Sequence, residues 1–231
     1  MPGTPRERAR EQTLQDITRI GREHLEAVGA AALSLRAVAR DLGVVSSAVY
    51  RYVKSRDELL TLLVVDGYNE LGVEVDAAVA KKSEPLEQFL ALGRSVRAWA
   101  VREPARYGLL YGSPVPGYHA PGEQTTTPGT RVVTTLVEIL DRAYRGGLLS
   151  GDDTDVAPAL GADLERIRTD LCLEMPAPLA ARGLIVWSSL FGAVNFEVFG
   201  QYGPDTFAEP SELFEYQLRV LAKVAGFDPV R

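Results

Sequence analysis

Residues 34–56 read SLRAVARDLGVVSSAVYRYVKSR, and the spacing of apolar residues within them decides the fold. Leu35, Val38, Ala39 and Leu42 recur at helical spacing and form one buried stripe; Ser34 sits where a helix is capped, and Arg36 and Arg40 point the other way. Gly43 breaks the pattern, a tight turn follows, and a second short helix is predicted from about Val45 to Val53. At about 100° of rotation per residue, Val49 and Val53 share one face of that helix, so Ser47 and Arg51 point almost directly away from the packed side. Tyr50 and Tyr52 fall on opposite flanks, roughly 100° from the centre of the outward face. Small residues at Ser46, Ser47 and Ala48 let the backbone approach base edges, the positive helix end favours phosphate, and tyrosine hydroxyls reach phosphates on both sides. This is the pattern of a helix-turn-helix whose second helix lies in a groove of duplex DNA.

Helix signals continue in both directions, and alternating β-branched runs with Asn-Gly or Asp-Gly turns are missing, so the fold class is all-α. Upstream, Thr4, Pro5 and Glu7 make a capping box with proline at the first helical position, Leu14, Ile17, Gly21, Leu25 and Val28 lie on one face, and Gly29 ends the helix. Downstream, Ser55 and Glu58 make a second capping box for a long helix to about Lys82. Further helices are predicted at Pro85–Arg102, Pro104–Tyr111, Thr127–Arg145, Ala157–Leu173, Pro178–Gly200 and Ser211–Ala225. Residues 112–125 read as a long Pro- and Gly-rich loop. The division drawn from this pattern is residues 1–56 for DNA binding and residues 57–231 for ligand binding and dimerisation.

Charge supports that division. Residues 1–56 hold ten Lys or Arg against six Asp or Glu, while the remainder holds 15 against 25. A basic segment on an acidic body suits a molecule that brings only its small part to phosphate. No apolar run is read as a membrane span, the charged N-terminus is unlike a signal peptide, and a cytoplasmic location is expected. Cys172 is the single cysteine and His24 and His119 are the two histidines, far apart in sequence, so neither a metal nor another cofactor is expected. An enzyme would need a convergent acid, base or nucleophile set; no GxSxG, GxxxxGK or ExxH spacing is present.

LRAVARDLGVVSSAVYRYVKSRDELL resembles the N-terminal domain of TetR/AcrR family regulators, with Gly43 in the turn, Tyr50 and Tyr52 on the recognition helix and a basic residue opening the next helix. That family often has Phe where Val53 stands and Lys where Arg56 stands. The resemblance implies a homodimer whose recognition helices enter successive major grooves of a palindromic operator, with Arg56 and Ser34 on phosphate. The candidate DNA-contacting residues are therefore Ser34, Arg36, Val45, Ser46, Ser47, Ala48, Tyr50, Arg51, Tyr52, Lys54 and Arg56.

The C-terminal part carries a weaker resemblance. WAVREPARYGLLYG is similar to a helix junction of such regulators, and VWSSLFGAVNFEVFGQYG resembles the ligand-binding domain named for Trp, His and Gly; Trp187 and Gly192 fit, and Phe191 stands in place of the histidine. Candidate effector-contacting residues are Trp99, Tyr107, Tyr111, Trp187, Phe191 and Asn195, with Arg97 as a second polar anchor, although each aromatic also suits a plain core. Tyr118 and His119 either close over a ligand or belong to a loop without order. Leu190, Val194 and Val198, with Phe214, Leu218 and Leu221, are spaced for a four-helix packing between subunits, the reading favoured because one recognition helix alone rarely gives operator-level affinity; packing wholly within one subunit is the alternative. The functional expectation is a repressor released from double-stranded DNA by a small, mostly apolar effector. A DNA-binding protein without effector control and an all-helical enzyme are the competing classes.

Overall fold

The computed structural model describes residues 4–149 and 155–227. Its helices are α1 (Pro5–Val28), α2 (Leu35–Asp41), α3 (Ser46–Tyr50), α4 (Arg56–Val79), α5 (Pro85–Arg102), α6 (Pro104–Tyr111), α7 (Gly122–Arg145), α8 (Pro158–Asp170), α9 (Ala177–Val198) and α10 (Pro210–Ala225). A 3₁₀ turn at Ala30–Ala32 joins the first two, and among the described residues extended pairing is limited to a single bridge between Leu149 and Phe227. The fold is all-α. Of the connection expected between α7 and α8, residues 150–154 lie outside the described residues.

Helix starts follow local chemistry. At α1 the Thr4 hydroxyl accepts from the Glu7 N–H while the Glu7 carboxylate accepts from the Thr4 N–H. At α4 only half of the expected box forms: Ser55 Oγ accepts from the Glu58 N–H, but Glu58 reaches back to the Lys54 N–H instead. Helix α7 begins at Gly122 rather than Thr127. The Pro121 carbonyl takes the N–H groups of Gln124 and Thr125 and the Thr125 hydroxyl, which starts the helix a turn before Pro128 can interrupt it.

The chain forms two compact units. The first comprises the residues up to Glu70 together with Glu103–Gly129, and the second comprises Leu71–Arg102 and the residues from Thr130 onward. The compact head is thus larger than residues 1–56. Its core holds Ile17, Leu25, Leu35, Val38, Val49, Val53, Leu59 and Leu63, and Ala105, Leu109, Val115 and Tyr118 pack against it from α6 and the connection that follows. Burial of those apolar groups, not chain order, assigns α6 to the head. Tyr118 is held in place, its hydroxyl 3.0 Å from Thr61 Oγ1 on α4, and His119 beside it is exposed.

In the second unit α5, α7, α9 and α10 bury Phe89, Leu92, Val96, Trp99, Leu136, Leu140, Val186 and Leu190. The buried Asp141 carboxylate accepts from the N–H groups of Glu174 and Met175 at 2.7 and 2.8 Å, which pins the α8–α9 connection to α7. Helix α9 corrects one sequence expectation, since by length and composition alone it is apolar enough to cross a membrane. Its apolar content serves two faces: Leu179, Gly183, Val186, Leu190, Phe191 and Val194 are buried, while Leu184, Ile185 and Phe196 are exposed, as is Phe199 just past its end.

Candidate nucleic-acid interface

The turn before α3 is built by Gly43, whose φ of 71° lies in the left-handed region. The Gly43 N–H donates to the Arg40 carbonyl and the Val44 N–H to the Ala39 carbonyl, both at 3.0 Å, which satisfies the end of α2 and aims the chain into the next helix. Helix α3 is shorter than the predicted Val45–Val53. It ends at Tyr50, after which Tyr52 and Val53 both donate to the Val49 carbonyl, so a single further turn carries Val53 into the core.

The expected facing holds. Val49 and Val53 are buried, and Ser47, Tyr50, Arg51 and Lys54 are exposed, as are Arg36 and Arg40 on α2. Ser46 and Ala48 are half-buried, leaving a low surface beside Ser47. The two tyrosines differ. Tyr50 is exposed, whereas Tyr52 is half-buried against the head core with the Arg10 guanidinium 5.9 Å above its ring. The sequence reading missed Arg10, whose only signal was its place near the start of α1.

Ser34 occupies the N-cap of α2 but makes no capping hydrogen bond, so its half-buried hydroxyl is not committed to the helix. Arg56 is engaged: its guanidinium donates to the Ala30 carbonyl at 2.8 Å and the Ala31 carbonyl at 3.3 Å. Arg56 therefore locks the 3₁₀ turn against the start of α4, which sets the approach of α2. Between α1 and the last residue of α2, His24 Nε2 lies 2.6 Å from Asp41 Oδ2, and that contact, with Arg40, holds the Asp41 carboxyl below the usual carboxylate range.

Residues 17–63 match the family described as bacterial regulatory proteins, tetR family, and residues 89–221 match the tetracyclin repressor-like C-terminal domain. Over 224 residues the chain is 46% identical to the HTH-type transcriptional regulators Rv1816 of Mycobacterium tuberculosis and Mb1846 of Mycobacterium bovis, covering 94% of this chain and 93% of theirs. The chain belongs to the tetR family. It is a transcriptional regulator with an N-terminal DNA-binding domain. The regulatory protein SCO4313 has the same fold at a TM-score of 0.78 and 34% identity, over 95% of this chain and all of that one. AibR, solved with isovaleryl coenzyme A and operator DNA, shares the fold at a TM-score of 0.59 and 15% identity, over 93% of this chain and 99% of its own.

For this TetR-family regulator the six candidate effector residues divide between the units. Tyr107 and Tyr111 belong to the head, their ring centroids 5.2 Å apart, and Tyr68 meets Tyr111 edge-on at 5.9 Å. Trp99, Trp187, Phe191 and Asn195 belong to the second unit, where Trp187 and Phe191 stack at 4.2 Å. Burial pushes the Tyr107 and Tyr111 phenols far up, so both present neutral hydroxyls. Arg97 is not a free anchor: it donates to both oxygens of Glu197, at 2.7 and 2.5 Å.

The subunit-packing set also needs correction. Leu190, Val194, Phe214, Leu218 and Leu221 are buried within one chain. The exposed apolar surface of α9 and α10 is instead Leu184, Ile185, Phe196, Phe199, Tyr216 and Val220, beside a shallow groove of about 350 Å³ that Gly192, Ala193 and Gln217 also line.

Proposed function

We propose that this regulator is a homodimeric, cytoplasmic, non-enzymatic repressor that leaves a palindromic operator when a small, mostly apolar effector binds. One observation carries the reading: the outward face of α3 presents Ser47, Tyr50 and Arg51 while Val49 and Val53 anchor the helix from behind. In this reading residues 1–56 supply the DNA contacts, with Arg36, Lys54 and the Ser34 hydroxyl on phosphate, and residues 57–231 serve the effector and the partner. Arg56 acts by holding the head together.

The apolar stripe of α9 and α10 supports a second copy as its occupant. Ile185, Ser189, Gly192, Phe196 and Phe199 follow helical spacing along one side, and a Cβ placed at Gly192 meets nothing within 4 Å. An antiparallel pair of such surfaces is self-complementary and doubles the base contacts. An effector site lined by the paired rings of Trp187 and Phe191 favours an apolar molecule. AibR lends the precedent of one protein of this fold holding a ligand and DNA, and fold likeness at 15% identity transfers no ligand to this chain.

Binding of a randomised 30-base-pair duplex library, followed by titration of the enriched sequence at two salt concentrations, tests the reading. Arg51→Ala and Tyr50→Phe should weaken binding by about tenfold each, and loss of a phosphate contact should lower the log–log salt slope by roughly one. A native protein that enriches no sequence would refute it.

A further inference from the structure

Val45 opens α3 from its N-cap, with φ −67° and ψ 143°, and provides no side-chain cap. That position favours Ser, Thr, Asp or Asn, whose side-chain oxygen satisfies an N–H two or three residues on. A branched aliphatic residue there forgoes the bond. Val45 is also 71% exposed, more than any other large hydrophobic side chain among the described residues. Val44 differs, because its N–H closes the Gly43 turn on Ala39 and an apolar side chain commonly accompanies that motif. Val45 does not pack on the head core. A residue that breaks a local rule without a compensating contact in the free protein points to a contact made elsewhere.

Its surroundings say which contact. Val45 stands at the N-terminal mouth of the helix whose outward face presents Ser47, Tyr50 and Arg51, and the residues that follow it, Ser46, Ser47 and Ala48, are all small. The apolar feature on the major-groove edge of a base pair is the C5 methyl of thymine. We infer that Val45 is a specificity-determining residue that packs on a thymine methyl, so that each operator half-site carries a thymine selected by shape and not by hydrogen bonding. This deepens the DNA-binding reading and rests on it.

The test uses the duplex that the full-length protein enriches from a randomised library, with thymidine replaced by deoxyuridine one position at a time, which removes the methyl and nothing else. At one thymine per half-site the native affinity should fall about threefold to fivefold, the scale of one buried methyl group. Val45→Ser, which supplies a capping hydroxyl, should bind the unmodified duplex about as weakly as the native protein binds the uridine duplex, and should be indifferent to uridine at that position. Its thermal midpoint should not fall. The inference is overturned if no thymine shows a uridine penalty, or if Val45→Ser keeps the native affinity or the native penalty. Failure to enrich any duplex would bring down the DNA-binding reading itself, a result distinct from these.

Discussion

Arg106 on α6 and Glu70 on α4 meet through two parallel hydrogen bonds, Nη1 to Oε1 at 2.8 Å and Nη2 to Oε2 at 2.9 Å. Arg106 is 3% exposed and also donates to Asp66 at 3.0 Å and to Glu103 at 3.3 Å. Burial alone would depress its guanidinium, but the hydrogen bonds and charge of Glu70, with Asp66 and Glu103, outweigh it and hold the cation firmly. Arg22 on α1 joins the same carboxylates, at 2.7 Å to Asp66 and 3.3 Å to Glu70, so three helices of the head share one ionic cluster.

Removing the buried cation leaves Asp66, Glu70 and Glu103 with only the partly exposed Arg22 to offset their charge. Arg106→Met should destabilise the protein by about 3–5 kcal/mol in urea unfolding at neutral pH. Glu70→Gln, which keeps a hydrogen-bonding partner, should cost clearly less. Equal losses from the two would contradict a charge-based account of the cluster.

Cys172 ends α8 with φ 55°, the one non-glycine residue with positive φ among those described. Its neighbours form the same turn as Gly43: the Leu173 N–H donates to the Arg168 carbonyl at 2.9 Å and the Cys172 N–H to Thr169 at 3.2 Å. Cys172→Gly should relieve the left-handed strain and raise stability by roughly 1 kcal/mol, whereas Cys172→Val should lower it. A thermal-shift series of the three proteins decides.

Glu215 on α10 is held below the ordinary carboxylate value of 4.5, first by its hydrogen bond from Arg94 on α5, against the opposing pull of burial, and with help from Arg219. A carboxyl lowered in the folded state stabilises it above the unfolded value, and that contribution fades as pH falls through the folded one. Arg94→Met should therefore make the decline in stability below pH 4.5 shallower. At pH 7 the loss should stay below about 1 kcal/mol, because Arg94 is half exposed to water and salt.

Gly192 gives a clean probe of the proposed partner surface. Its open surroundings let a single chain accept a larger side chain, while a second α9 lying on the stripe would not. Gly192→Leu should keep native helicity yet sediment as a monomer, with operator affinity lowered by an order of magnitude or more. A dimeric Gly192→Leu would place the partner elsewhere.

The head was legible in the sequence because its signals are local. The Thr4–Glu7 cap, the glycine after α2 and the Val49–Val53 spacing each act within five residues, and each stands where it was expected. What escaped depends on distant partners. Arg106 lies 36 and 40 residues from Glu70 and Asp66, and its only local hint was a charge next to the buried Tyr107. Tyr118 finds Thr61 across 57 positions. The subunit-packing residues were misassigned because α9 is apolar on two sides, so periodicity could not say which side the same chain covers. Val45 reads from sequence as one more aliphatic residue, and only its exposure sets it apart.

The assignment of Glu103–Gly129 to the first unit bears on how the polypeptide is made. A nascent chain that has emerged only as far as α4 carries the recognition helix but lacks Leu109, Val115 and Tyr118, which seal the core behind it. Thirty-odd intervening residues of another unit must leave the ribosome before the seal arrives, so the head closes late, as a non-local event. A graft that moves this head to a different sensor would need to carry both stretches, since a cut after residue 56 would leave the transplant open to water.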